Sequence, residues 1–186
     1  MRVEIQIRTR LQHAWATAVE TVSTFTGQAL KSNIGTDEWK RFFVLMGSAI
    51  AFREKRPLVP GTPTSRKEVA NELRKVATEL RVVHVLTSFG NVTQYTSNVS
   101  EAAAFLLELD PETVTTKVTG FRKTDLQDAN EQYLKAEERI KDKSGAQAVL
   151  VSVESLSSLR EAFPNYYLDT KVFVQALRQA IAEKSS

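Results

Sequence analysis

An α+β fold is predicted by three features of the sequence. Apolar residues recur at helical spacing through most of the first half, two strand-like runs meet at Asp110-Pro111-Glu112, and a third apolar run, AQAVLVSV, stands between helical segments.

The chain opens with VEIQIRTRLQHAW, residues 3–15. Strand residues alternate faces, so Val3, Ile5 and Ile7 share one side and Arg2, Glu4, Gln6 and Arg8 the other. Thr9-Arg10-Leu11-Gln12 has the form of a capping box and starts a helix whose apolar positions are Leu11, Trp15, Ala18, Val22, Phe25 and Ala29. Gly35 breaks that pattern, and Thr36 caps a second helix with Asp37 and Glu38 in its first turn, where the helix dipole favours acids. Its stripe is Trp39, Phe42, Phe43, Met46, Ala49 and Ile50. Spacing of this kind makes Trp15 and Trp39 core residues rather than stacking platforms.

Three prolines and a glycine in residues 55–64 cannot continue a helix, which makes this segment the best domain boundary. The expected organisation is a first unit over 1–55, a linker over 56–64, and a helical segment with an α+β subdomain over 65–186. Ser65-Arg66-Lys67-Glu68 reads as another capping box, opening a helix that buries Val69, Leu73, Val76 and Leu80. A break near Arg81 shifts the phase to Val82, Leu86 and Phe89, on a helix where His84 reads as a structural histidine. AAAFLLELD and TVTTKVTGF form a hairpin, and residues 124–127 cap a helix burying Leu126, Ala129, Tyr133, Ala136 and Ile140. Ser144-Gly145 stops it. The run AQAVLVSV is apolar throughout and is expected to be covered on both faces. Two helices follow, from about 155 and from about 169, so the subdomain order is ββαβαα.

Composition narrows the function classes. With 25 basic and 22 acidic residues the net charge is +3, which by itself implies neither a nucleic-acid binder nor a membrane-surface binder. The absence of cysteine removes disulfides and thiolate metal sites and is compatible with a reducing cytoplasm. No signal-peptide pattern opens the chain, and no apolar run approaches the roughly 18 residues that span a bilayer. A cytoplasmic protein without a membrane partner is the expectation, and the two glycosylation sequons at Asn91 and Asn98 are read as chance.

Two readings compete for the opening strand: a solvated edge, or a surface where Glu4 and Arg8 bracket a metal-bound phosphate. Arg8, Arg10 and His13 surround one helix start, the place where backbone donors favour anions, and form a candidate phosphate cradle. Farther on, Pro164 and Asn165 force a turn that displays Phe163, Tyr166 and Tyr167, as a core plug or as a contact surface.

VEIQIRTRLQHAWATAVET resembles the last strand and following helix of the RelA/SpoT-type synthetase domain. Residues 3 to about 50 carry that likeness, and the rest resembles the C-terminal extension of small RelA/SpoT-related proteins, toxin-like members included. The resemblance implies a nucleotidyltransferase-like domain end followed by the α+β subdomain. It also implies transfer of pyrophosphate from ATP to the 3′-hydroxyl of GDP or GTP, the chemistry of ppGpp and the stringent response. Glu4 would then be the catalytic glutamate that holds Mg2+ or activates the acceptor hydroxyl, Gln6 and Arg8 would line the acceptor nucleotide, and Arg10 and His13 would sit near its phosphates. Such a reaction needs charge neutralisation and positioning more than covalent chemistry.

The family's upstream Arg/Lys elements for ATP, its metal-binding aspartate and its guanine-stacking tyrosine loop have no counterpart in this sequence. The resemblance therefore implies that the chain starts inside its own active site and does not synthesise alarmone by itself. Some toxin-like relatives modify tRNA 3′ ends, and in fused toxin–antitoxin relatives an aromatic pair spaced three apart restrains the nucleotide site. Phe163 and Tyr166 resemble that pair, with Tyr167 beside them. Under that alternative the chain is a regulatory module whose subdomain meets a protein partner.

Overall fold

A computed structural model describes residues 7–26, 37–95, 101–110, 115–141, 146–162 and 166–182. Glu4, Gln6, Thr36, Phe163, the hairpin turn after Asp110 and the Ser144-Gly145 stop lie outside these residues. The described elements are α1 (Arg10–Thr26), α2 (Asp37–Glu54), α3 (Arg66–Glu79), α4 (Val82–Tyr95), β1 (Ala104–Asp110), β2 (Thr115–Phe121), α5 (Leu126–Ile140), β3 (Gln147–Ser152), α6 (Val153–Ala162) and α7 (Tyr166–Ala182). The α+β class holds, with the strands in one antiparallel sheet of order β2-β1-β3. β1 lies between its hairpin partner β2 and β3, pairing Leu107 with Val118 on one side and Val149 on the other.

Alternation along the strands divides the sheet into two faces. Phe105, Leu107, Leu109, Val149 and Val151 join the main core, which draws on α1, α2, α3, α4, α6 and α7. Leu106, Phe121 and the half-buried Leu150 turn the other way and meet Ala129 and Tyr133 of α5. The third strand is thus buried on the main-core face and half-buried on the α5 face, so its unbroken apolar run overstates its burial. Gly120 faces Phe105 across the ladder, and a Cβ there would come within 3.3 Å of the Phe105 ring, so glycine spares the ring a shift of a few tenths of an ångström.

The main core is built on aromatic contacts between helices. Phe25 of α1 stacks on Phe89 of α4 with centroids 4.2 Å apart, while Phe42 and Phe43 of α2 meet Phe173 of α7 at 6.2 Å. Trp39 belongs to this group, and Trp15 packs edge-on against Phe43 while its indole N–H donates to the Phe43 carbonyl at 3.0 Å. Trp39 is a core residue, as predicted, whereas Trp15 is half-buried against the core with its polar edge satisfied. Thr17 and Thr21, fully buried on α1, return their hydroxyls to the carbonyls of His13 and Thr17 at 3.1 and 2.7 Å.

The proline-rich segment after α2 is fastened to that helix. Ser48, fully buried on α2, accepts from the Val59 N–H at 3.0 Å and bonds the Thr62 hydroxyl at 2.8 Å. Gly47 lets the segment approach, since a Cβ there would come within 3.1 Å of Val59. Arg41 donates to the Gly61 carbonyl at 2.7 Å, and Gly61 has φ +79°, a left-handed value that suits glycine. The same guanidinium grips both carboxylate oxygens of Glu72 on α3, at 2.6 and 2.7 Å. That bidentate bond holds the Glu72 carboxyl below its ordinary pKa and raises that of Arg41. Helices on either side of the segment therefore share one core, which runs from Ala14 to Leu177.

Local expectations fare differently at different helix starts. Arg81, with φ +48°, marks the predicted break between α3 and α4. Ser65 sits at the N-cap of α3, but its side chain makes no cap hydrogen bond, so the second capping box does not form. Ser65 and Glu68 are both exposed, where water can satisfy the free backbone donors instead. Before α5 a 3-10 turn over Lys123–Asp125 takes the place of a Thr124 cap, and Leu126, expected in the core, is 37% exposed. The fully buried residues of α5 are the small Ala129 and Ala136, which let the helix lie close on the sheet, with Tyr133 and Ile140 half-buried beside them.

Candidate functional site

The start of α1 is held by a reciprocal cap. Thr9 N–H donates to Gln12 Oε1, and Gln12 N–H donates to Thr9 Oγ1, both at 3.2 Å, which is the capping box predicted from sequence. Both side chains also reach across to the last residue of α2: the Thr9 hydroxyl donates to Glu54 Oε1, and Gln12 Nε2 donates to Glu54 Oε2 at 2.8 Å. A carboxylate thus sits at the N-terminal end of α1, where the helix dipole favours negative charge. Any incoming phosphate must share this helix end with Glu54 or displace it.

Arg8, exposed just before the cap, lines a cleft of about 540 Å³ between α1, the second half of α2 and the proline-rich segment. Trp15 and Val59 supply apolar wall, and Glu54 and Arg56 supply charge. Arg10 is exposed on the first turn of α1 and does not line this cleft. His13 points elsewhere. Its Nε2 lies 3.2 Å from Oδ2 of Asp169, a buried carboxylate in the first turn of α7. The helix start therefore places Arg8 with Glu54 in one cleft and Arg10 outside it, while His13 ties α1 to α7.

The remaining predicted residues are placed less completely. Tyr166 and Tyr167 form the beginning of α7, one turn before Asp169, so the backbone of the aromatic segment lies close to the His13 contact. Glu4, Gln6 and Phe163 lie outside the described residues. The Mg2+ implied by the resemblance would rest on Glu4, and among the described residues no group of three or more His, Asp or Glu could hold a metal ion. His84 is half-buried on α4, with its Nε2 buried and without a hydrogen-bond partner among the described residues.

Three residues at this site escaped sequence reasoning: Glu54, Arg56 and Asp169. The run Glu54-Lys55-Arg56 at a helix end next to Pro57 was the available signal for the first two. Asp169 looked like an ordinary acid in a helix first turn, and only the packing of α7 on α1 gives it His13 as a partner. No protein-family model matches the chain, and no curated protein matches it. No described helix is long and apolar enough to cross a membrane.

Proposed function

We propose that this chain is the C-terminal part of a RelA/SpoT-like pyrophosphokinase, a cytoplasmic enzyme that moves pyrophosphate from ATP to the 3′-hydroxyl of GDP or GTP. The reading rests on VEIQIRT followed by a capped helix carrying His13 and Trp15, with Arg8 and Arg10 flanking the cap. Arg8 offers a guanidinium at the mouth of a cleft large enough for part of a nucleotide. Arg10 adds a second cation on the same helix end, and the two offset negative charge gathering on the transferred phosphates. Gln6 hydrogen-bonds the acceptor, and Glu4 accepts the proton that leaves its 3′-hydroxyl. Glu54 keeps the first turn of α1 in register, so the spacing of Arg8 and Arg10 is fixed before substrate arrives.

In the protein carrying the whole synthetase domain, Glu4→Ala lowers ATP-dependent ppGpp formation by at least about a hundredfold. Glu4→Ala with an unchanged rate removes the proposal. Product formed from ATP by the 186-residue chain alone would overturn the expectation that the chain is inactive in isolation.

A second reading has one observation in its favour: the aromatic start of α7 adjoins the His13–Asp169 contact, on the helix that presents Arg10. In a toxin-like relative that modifies tRNA 3′ ends, this segment restrains the nucleotide site. Replacing Phe163 and Tyr166 together by alanine should then raise tRNA pyrophosphorylation and toxicity. Unchanged growth and rate would remove the regulatory reading while leaving the first intact.

A further inference from the structure

Helix α5 turns leucines toward solvent. Leu126 and Leu134 are 37% and 62% exposed, and they are two of the three exposed large apolar side chains among the described residues. Asn130, also exposed, stands midway between them, so the three residues form one line along the helix at intervals of four. The line continues at both ends. Lys123, exposed in the 3-10 turn that leads into α5, precedes Leu126 by three residues, a spacing that aligns side chains in that geometry. Glu137, exposed as well, follows Leu134 by three. The order Lys-Leu-Asn-Leu-Glu is therefore symmetric about Asn130 in its spacing and opposite in charge at its two ends.

We propose that this stripe is the interface of a homodimer, in which α5 packs antiparallel on α5 of a second copy about a two-fold axis through Asn130. Reversal about that axis sets Leu126 against Leu134 of the other copy and Lys123 against its Glu137, each contact being made twice. The two Asn130 side chains meet on the axis. Each gives one N–H to its own Leu126 carbonyl at 3.0 Å, and its second N–H and Oδ1 meet the mate, as an asparagine between helices does when it fixes their register. Charge selects this occupant over others. A parallel mate would place Lys123 on Lys123 and Glu137 on Glu137, and a partner helix of one sign would be repelled at one end of the stripe. Glu137 accepts from the neutral Tyr133 phenol and so keeps its negative charge for Lys123 of the other copy. A contact along 15 residues is about 22 Å long, which is short for a standard interface, so the dimer is a weak one. No residue of the site proposed for pyrophosphate transfer takes part, and the two ideas stand or fall separately.

The test is sedimentation equilibrium of the purified 186-residue chain across a range of concentrations. The mass should rise from 20.8 kDa toward twice that value, with a dissociation constant on the order of 100 µM. Leu134→Glu should keep the chain monomeric throughout, with its thermal midpoint unchanged because the side chain is exposed. Lys123→Glu should weaken association about tenfold, and adding Glu137→Lys should restore it, since the exchanged pair is again complementary. The chain has no cysteine, so in Asn130→Cys any disulfide joins two copies. That cross-link should form, whereas Glu131→Cys, turned about 100° around the helix, should stay reduced. A mass fixed at 20.8 kDa, a dimer that survives Leu134→Glu, or cross-linking at position 131 in preference to 130 would each overturn the proposal.

Discussion

The two faces of the sheet differ in what covers them. One face joins a core drawn from six helices, with Phe89 and Phe105 fully buried. The other carries a single helix, α5, whose Ala129 rests on Leu106 and Phe121. The edge of this smaller cluster is polar: Glu108 of β1 pairs with Lys117 of β2 at 2.9 Å and with Arg139 of α5 at 2.7 Å. A helix held by few apolar contacts and a surface ion pair opens more readily than one buried among aromatics. The α5 face is therefore expected to be the less stable part of the fold.

The largest contrast should come from truncating each core. Phe89→Ala removes a ring stacked on Phe25 and should cost about 3–5 kcal/mol, whereas Leu106→Ala, in the small cluster, should cost about 2–3 kcal/mol. Denaturant midpoints give both values, and a larger loss for Leu106→Ala would reverse the order assigned to the two faces. A smaller effect is expected from Glu108→Gln, about 1 kcal/mol at low salt and less at 1 M salt, since Lys117 and Arg139 are largely exposed. A loss that salt leaves unchanged would mean that packing, and not charge, holds α5 at that edge.

The finest probe is Tyr133. Its phenol donates to Glu137 one turn on, and that bond, aided by burial, pushes its pKa up to about 12. A raised pKa favours the neutral phenol in the folded chain. Its contribution to stability is complete below the ordinary tyrosine value of about 10 and is lost as pH rises through the folded value. Absorbance of phenolate should report one tyrosine titrating near 12 in the folded protein, and Glu137→Gln should lower that midpoint. A Tyr133 midpoint at the ordinary value would show α5 free of this bond in solution.

Two helix starts show how much of this was legible in the sequence. Thr9-Arg10-Leu11-Gln12 and Ser65-Arg66-Lys67-Glu68 have the same pattern, yet only the first makes its reciprocal bonds. Glu54 makes the difference by accepting from both Thr9 and Gln12, which fixes the rotamers that the cap needs. Thr9→Ala should cost about 1 kcal/mol and Ser65→Ala a few tenths, and equal losses in thermal unfolding would remove this explanation. The same logic covers the site. Arg8 and Arg10 were identifiable from their place at a helix start, whereas the turning of His13 toward Asp169 depends on a helix more than 150 residues farther along.

By itself the sequence determined the helix and strand periods, the break at Arg81, the hairpin, and the placement of Trp39 in the core. These follow from the alternation of apolar and polar residues over a few turns, a local property. Tertiary structure alone decided which capping box forms, that the proline-rich segment is bound to α2 through Ser48, and that Glu54 occupies the N-terminal end of α1. Each of these depends on a side chain brought from another element, and one residue's neighbours across space cannot be read from its neighbours along the chain.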